Sequence, residues 1–295
     1  MITIVKAPPY LTVQDLGRHG QRAIGVSPGG VLDADTTRVL NHTLDNPETA
    51  AVLEWAIAGG TLRADVPLIM AIGGAEVEAE WVRGGVAYVV TPWIPVTLAP
   101  GDELHVTRLV RGRFLYVAVR GGIDVPVVAG SRSTHIAAAF GGFAGRRLAR
   151  GDVLAVGAEP TVRVHAEAVG SSATARSVDT LSDRPIRLMR GPQASLFDAA
   201  AWDTLLSETY TVSHASDRMG YRLDGPSLAL SGRGEFPSEP TCVGAIQAPP
   251  GGAPIVLMHD GPTVGGYPKI AVIHTSDLAT FAQRPPGAAV RFTLT

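Results

Sequence analysis

Ala99-Pro100-Gly101-Asp102-Glu103-Leu104-His105-Val106-Thr107-Arg108-Leu109-Val110, continuing through Arg111-Gly112-Arg113 into Phe114-Leu115-Tyr116-Val117-Ala118-Val119, decides the fold class. Pro-Gly-Asp is a tight turn, and the runs after it predict two strands, Glu103–Val110 and Phe114–Val119. The turn returns at Ala149-Arg150-Gly151-Asp152-Val153-Leu154 and, more distantly, at Pro285-Pro286-Gly287-Ala288-Ala289-Val290. A turn feeding a strand at unequal spacing fits barrels that close on themselves and excludes a solenoid or propeller. Working outward, 34 glycines and 22 prolines punctuate short apolar runs, the spacing of an all-β sandwich or barrel. Those runs predict strands at Ile2–Lys6, Leu68–Ile72, Val86–Val90, Ile186–Arg190, Tyr210–Ser213, Gly244–Gln247, Ile255–His259, Lys269–His274 and Ala289–Leu294. Helices are few. A helical stripe runs from Val31 to Leu44, and Asn46-Pro47-Glu48 reads as an N-cap opening a short helix through Trp55. Ala194–Leu206 and Ser276–Gln283 complete the set. The polar stretch Gly170-Ser171-Ser172-Ala173-Thr174-Ala175-Arg176-Ser177 predicts a linker. The expected organisation is mainly β, with a domain at 1–165, a linker at 166–183 and a second β domain at 184–295.

Composition narrows the function classes. With 45% apolar and 18% charged residues in 295, the chain is folded and core-rich. A net charge of −2 argues against a nucleic-acid surface, and no basic run is interleaved with aromatics. A single cysteine, Cys242, excludes a disulfide and a thiolate metal cluster. Met1 to Pro9 is too short and too soon broken by proline for a signal peptide, and no apolar run of about 18 residues exists. A soluble cytoplasmic protein with no metal is the expectation.

Several familiar motifs fail on physical grounds. Gly25-Val26-Ser27-Pro28-Gly29 matches the nucleophile elbow, but Pro28 has no N–H for an oxyanion hole. No Walker lysine, dinucleotide-binding glycine pattern, zinc-protease motif or biotin-accepting Met-Lys-Met is present. The eight histidines are scattered, without metal-ligand spacing.

Other stretches carry more chemistry. Gly265-Gly266-Tyr267-Pro268-Lys269 joins two glycines, which let a ligand approach backbone, to a flat hydroxylated ring and a cation. Lys6 and Lys269 are the only lysines among 25 basic residues, and a lysine in an arginine-rich chain suits a compact point charge. The competing reading is a Gly-Gly turn with a solvated lysine. Thr12-Val13-Gln14-Asp15-Leu16-Gly17-Arg18 reads as a turn after the first strand, either a site or an Asp15–Arg18 pair fixing a loop. Gly29-Gly30-Val31-Leu32-Asp33 precedes a helix, so it binds an anion or Asp33 simply caps. Arg120-Gly121-Gly122-Ile123-Asp124 leads to Gly130-Ser131-Arg132-Ser133-Thr134, where hydroxyls and arginine suit a carboxylate or phosphate, or glycines merely bend strands. Ser216-Asp217-Arg218-Met219-Gly220 is dense in polar groups, and Ser238-Glu239-Pro240 and Gly244-Ala245-Ile246-Gln247 add a carboxylate and an amide. A C-terminal barrel would bring Arg218, Gln247, Tyr267 and Lys269 together.

In this order, these stretches resemble the KipA family, which takes in allophanate hydrolase subunit 2 and a 5-oxoprolinase subunit, and the carboxyltransferase region of urea carboxylase. The resemblance runs from about residue 2 to residue 292. It implies two tandem cyclophilin-like β-barrel domains and a KipI-like subunit-1 partner, joined in some bacteria by a third, LamB-like subunit. It also implies three functions: a subunit of an ATP-dependent amide hydrolase, a carboxyltransferase subunit served by biotin on another chain, or a non-catalytic regulator of its partner. ATP would be bound here or by a partner. In the hydrolase, Lys269 and Arg218 would stabilise an anionic oxygen, and Asp217 or Asp15 would relay protons. Tyr267, Gln247, Gly265 and Gly266 would hold substrate, with Ser131, Arg132, Arg18 and Asp33 as further binding residues. The chain departs from the family pattern at Gly29–Asp33, at Arg120, and at Asp260-Gly261-Pro262-Thr263-Val264, where an arginine, an amide and a hydroxyl are missing.

Overall fold

A computed structural model describes residues 1–158, 180–230 and 236–295. Residues 166–179 of the expected linker lie outside the described residues. The chain divides into two compact units, one of residues 1–18 and 29–181, the other of residues 19–28 and 182–295. Both are sheets with few helices.

The first unit is organised on one strand, Glu103–Val119, 17 residues long, in place of the two expected. It does not break at Arg111-Gly112-Arg113 because Gly112 adopts φ 88°, and the pairing register slips where it lies. A glycine bulge of this kind bends a strand without ending it. One edge of this strand pairs first with Gly60–Ala64 and then with Val52–Ala56. Its other edge carries Leu68–Arg83 along nearly its whole length. Leu104, Val106, Leu115, Val117 and Val119 alternate inward onto Ile4, Leu11, Val13, Leu53, Trp55 and Ile72, forming the core.

Two local expectations are corrected. No helix runs from Asn46 through Trp55, since Val52–Ala56 is a fully buried strand. The Asn46 side chain closes a turn instead, donating to Val119 O at 2.7 Å and accepting from Gly121 N at 2.8 Å. Thr12 to Gln14 belongs to a strand, Tyr10–Gln14, and the turn starts only at Asp15.

The second unit is an eight-stranded sheet. Its order is Ala289–Val290, Tyr210–Val212, Gly220–Asp224, Ile255–Leu257, Ala245–Gln247, Lys269–Ile273, Ile186–Arg190 and Phe292–Leu294. The first and last of these strands are separated in sequence by Arg291 alone, so the sheet must curl until its ends nearly meet, a barrel. Phe292–Leu294 runs parallel to Ile186–Arg190, and the other pairs are antiparallel. The expected Ala194–Leu206 helix is split into a 3-10 turn, Ala194–Leu196, and a helix, Ala199–Ser207, capped by Asp198. Glu239–Pro240 and Val264–Gly265 form a separate two-stranded ribbon. No helix among the described residues is long and apolar enough to cross a membrane.

Candidate functional site

Lys269 is the first residue of its strand, and the register shift between Ile246 and Gln247 sets it opposite Gln247. That bulge interrupts simple alternation where a cation and an amide meet. The Lys269 side chain is only 3% exposed, against 41% for its partner Glu239, whose Oε1 accepts from Nζ. Gln193 ties the pair together. Its Oε1 accepts from Lys269 N at 3.1 Å, which orients the amide so that Nε2 donates to Glu239 Oε1 at 2.6 Å. The Lys269 hydrogen bond, with help from Gln193, draws the Glu239 carboxyl below the usual carboxylate range.

Glycine spacing opens this cluster to solvent. Gly265 lies opposite Glu239 in the ribbon, and a Cβ there would stand 3.2 Å from Gln247 Nε2. The Gln247 side-chain nitrogen is buried and has no hydrogen-bond partner among the described residues. Gly265, Gly266, Tyr267, Pro268, Gln193, Phe236, Pro237 and Glu239 line a small cleft of about 40 Å³. Tyr267, half exposed, forms one wall. The structure therefore brings Lys269, Gln247, Gly265, Gly266 and Tyr267 together around an amide and a carboxylate that sequence reasoning left out of the site. Glu239 had a signal, a carboxylate near the Gly-Gly stretch in an otherwise short ribbon. Gln193 had none, because a fold contact alone places it.

Arg218 is buried and makes a two-pronged pair with Asp260, at 2.8 and 2.9 Å. His259, next in the chain, is held neutral: burial and the Arg218 charge push its imidazole down to about 4. Asp217 is exposed and closes a turn, accepting from Met219 N at 2.8 Å and Gly220 N at 3.2 Å. The departing segment Gly261–Val264 has its own anchor. Arg22 donates to Thr241 O at 2.8 Å and Thr241 Oγ1 at 2.9 Å, and Thr241 N donates to Thr263 O at 3.0 Å.

The remaining candidates lie in the first unit. Asp15 is buried and saturated: Oδ1 accepts from Ser131 Oγ at 2.5 Å, Ser133 Oγ at 2.6 Å and Gly17 N at 2.8 Å, and Oδ2 from Arg132 N at 2.6 Å. Arg18 donates to Ser133 O and lies over the Phe140 ring at 4.7 Å. These bonds lock the 131–134 loop to the 15–18 turn. Asp33 caps the helix Ala34–Thr43, accepting from Thr36 N at 2.9 Å and Thr36 Oγ1 at 2.7 Å. Arg132 reaches Asp124 at 3.1 Å and borders a larger hollow with Gly121 and Gly122. Sequence reasoning missed a buried carboxylate here. Glu54 accepts from Tyr116 Oη at 2.9 Å, Leu32 N at 3.0 Å and Tyr10 Oη at 3.2 Å.

Residues 24–294 match the family model described as carboxyltransferase domain, subdomain A and B. The chain belongs to that family. It is 37% identical over 292 residues to a 5-oxoprolinase subunit of Escherichia coli K12, covering 99% of this chain and 90% of that one. It is 31% identical to the urea amidolyase of Lachancea kluyveri, covering 96% of this chain but 16% of that much longer protein. Among solved structures, the K. lactis urea amidolyase superposes with a TM-score of 0.87 at 27% identity, over 99% of this chain and 18% of that one. Family membership was legible in the ordered stretches from Thr12 to Lys269, and the two barrel-like sheets agree with the fold expected from it.

Proposed function

We propose that this carboxyltransferase-family member is one subunit of a multi-component, ATP-dependent amide hydrolase of the 5-oxoprolinase type, acting with a KipI-like subunit-1 partner. The observation that carries this reading is the 37% identity spread over 90% of a bacterial 5-oxoprolinase subunit. The chemistry of the Lys269 cleft supports it. A buried ammonium with two side-chain amides beside it can hold a small acidic cyclic amide by its charged group. Tyr267 gives such a ring a flat wall. Lys269 is paired with Glu239, so its role is electrostatic, not nucleophilic.

ATP fits this cleft poorly. A triphosphate with its metal calls for several cations, whereas this cleft is lined by one amide and one carboxylate, with a single lysine, already paired, buried beside them. We therefore place nucleotide binding on a partner, either the KipI-like chain or a third, LamB-like subunit. Arg218 serves this site indirectly, holding the 216–220 turn through Asp260.

Carboxyl transfer from biotin on a separate carrier is the second reading, favoured by the family description and by the match to urea amidolyase. Co-expression with a KipI-like subunit and a LamB-like subunit, followed by measurement of glutamate released from 5-oxoproline, separates the two. ATP-dependent release that falls at least 100-fold in Lys269→Ala, with the complex still assembled, is the expected result. A stable complex with no release, but with carboxylation or decarboxylation of a biotin carrier, would overturn the hydrolase reading.

A further inference from the structure

Gln193 and Glu239 line the cleft, the buried Lys269 ammonium meets it through Glu239, and the buried Gln247 amide lies beneath Gly265. Lys269 Nζ and Gln193 Nε2 both donate to a single oxygen, Glu239 Oε1. Gln247 Nε2, beneath Gly265, is buried and donates to nothing among the described residues. A buried N–H without an acceptor is costly, and a ligand that reached it would remove that cost. The three donors differ from the acceptor in how firmly they are held. Lys269 and Gln247 belong to paired strands of the barrel, and Gln193 is bonded to the Lys269 backbone. Glu239 belongs only to the two-residue ribbon strand, and its side chain is 41% exposed. The acceptor is thus the loosely held member of a rigid donor set.

We propose that Glu239 is an internal stand-in for a ligand carboxylate: a small monocarboxylate displaces it, taking over Lys269 Nζ and Gln193 Nε2 and engaging the unpaired Gln247 amide. One lysine matches a single negative charge, and a displaced Glu239 side chain would enlarge the small cleft it now lines. Neither Glu239 nor Gln193 was expected in the site from sequence. The inference deepens the proposed function, since a cyclic amide carrying one carboxylate is such a ligand, and it rests on the placement of the substrate site at Lys269.

Binding is measured on the isolated full-length chain by calorimetry, with 5-oxoproline as the probe, its uncharged analogue 2-pyrrolidone as a control, and inorganic phosphate as a second anion. A competitor held by a half-exposed ion pair occupies the site most of the time, so its removal raises apparent affinity by the inverse of the free fraction. Glu239→Gln and Glu239→Ala should each tighten 5-oxoproline binding about five- to ten-fold, while Gln247→Ala and Lys269→Ala weaken it at least ten-fold. Two Glu239 variants guard against the failure of one to fold, checked by circular dichroism. Unchanged or weaker binding in both folded Glu239 variants overturns the proposal, as does equal tightening for 2-pyrrolidone. Stronger binding of phosphate than of 5-oxoproline overturns the assignment to a carboxylate. Tightening without any glutamate release from the reconstituted complex would sustain this inference and sink the hydrolase reading, so the two fail separately.

Discussion

His259 should make the second unit lose stability between pH 6.5 and pH 4. In the folded chain its imidazole is pushed from 6.5 down to about 4, first by burial and then by the Arg218 guanidinium. Among the described residues its buried Nδ1 has no hydrogen-bond partner to stabilise the protonated ring. Above pH 6.5 the ring is neutral in both states and contributes nothing to the pH dependence. Below it the unfolded chain takes up a proton that the folded chain refuses, so stability falls as pH falls, and the loss stops growing near pH 4. The gap between 6.5 and about 4 sets an upper bound of about 3 kcal/mol. His259→Gln, neutral at every pH, should remove that slope. Hydrogen exchange on peptides from Lys269–Ile273, corrected for intrinsic rates, reads the opening free energy of this unit from pH 7.5 to pH 4.5. Parallel pH profiles for wild type and His259→Gln would refute the burial argument.

Other sites give outcomes as definite. Asp277 is buried and accepts from Arg187 N at 2.8 Å, Arg184 Nη1 at 2.9 Å and the Arg187 guanidinium at 2.5 Å. Burial alone would raise this carboxyl, but those hydrogen bonds win and hold it well below 3.8. Its contribution is therefore present above pH 3.8 and lost only as pH falls further. Asp277→Asn should cost about 2–3 kcal/mol at pH 7 by urea denaturation, discounted because both arginines are partly solvated. Gly30 has φ 87°, and a Cβ there would meet Gly17 N at 2.8 Å. Gly30→Ala should cost about 2–4 kcal/mol in the first unit, against about 1 kcal/mol for Gly130→Ala, which has φ 82° and open space. Equal thermal shifts for those two glycines would show that the close approach of the 17 and 30 turns is not rigid.

The features that sequence reasoning reached are those written in local chemistry. All three repeated turns form by one mechanism. Gly101, Gly151 and Gly287 have φ 93°, 89° and 86°. The residue after each donates its N–H three residues back, to Ala99 O, Ala149 O and Pro285 O. Asp102 and Asp152 add a side-chain acceptor, for Ala99 N and Ala149 N, that Ala288 lacks, which is why the third copy looks distant. Strand Tyr10–Gln14 escaped notice for the opposite reason. Thr12, Gln14 and Glu54 are polar yet wholly buried, on the sheet face away from the apolar core. A buried polar face shows the composition of a loop, and only partners far away in sequence, such as Tyr116 for Glu54, make its burial tolerable.

The candidate site divides along the same line. Gly265-Gly266-Tyr267-Pro268-Lys269 was visible because glycine pairs and a rare lysine are properties of the stretch itself. Its working parts were not. Whether Lys269 is a solvated turn cation or a buried charge depends on the register shift at Gln247, on Gln193 arriving from another element, and on Glu239 in a two-residue strand. Asp15 and Asp33 looked as promising on composition alone, yet each has its acceptor sites filled by nearby hydroxyls and N–H groups. A filled carboxylate holds a loop in place. The Lys269 cluster differs in setting a buried amide nitrogen, Gln247 Nε2, without a hydrogen-bond partner among the described residues beside a loosely held carboxylate, and that pairing, which no single stretch contains, is why we propose the ligand site there.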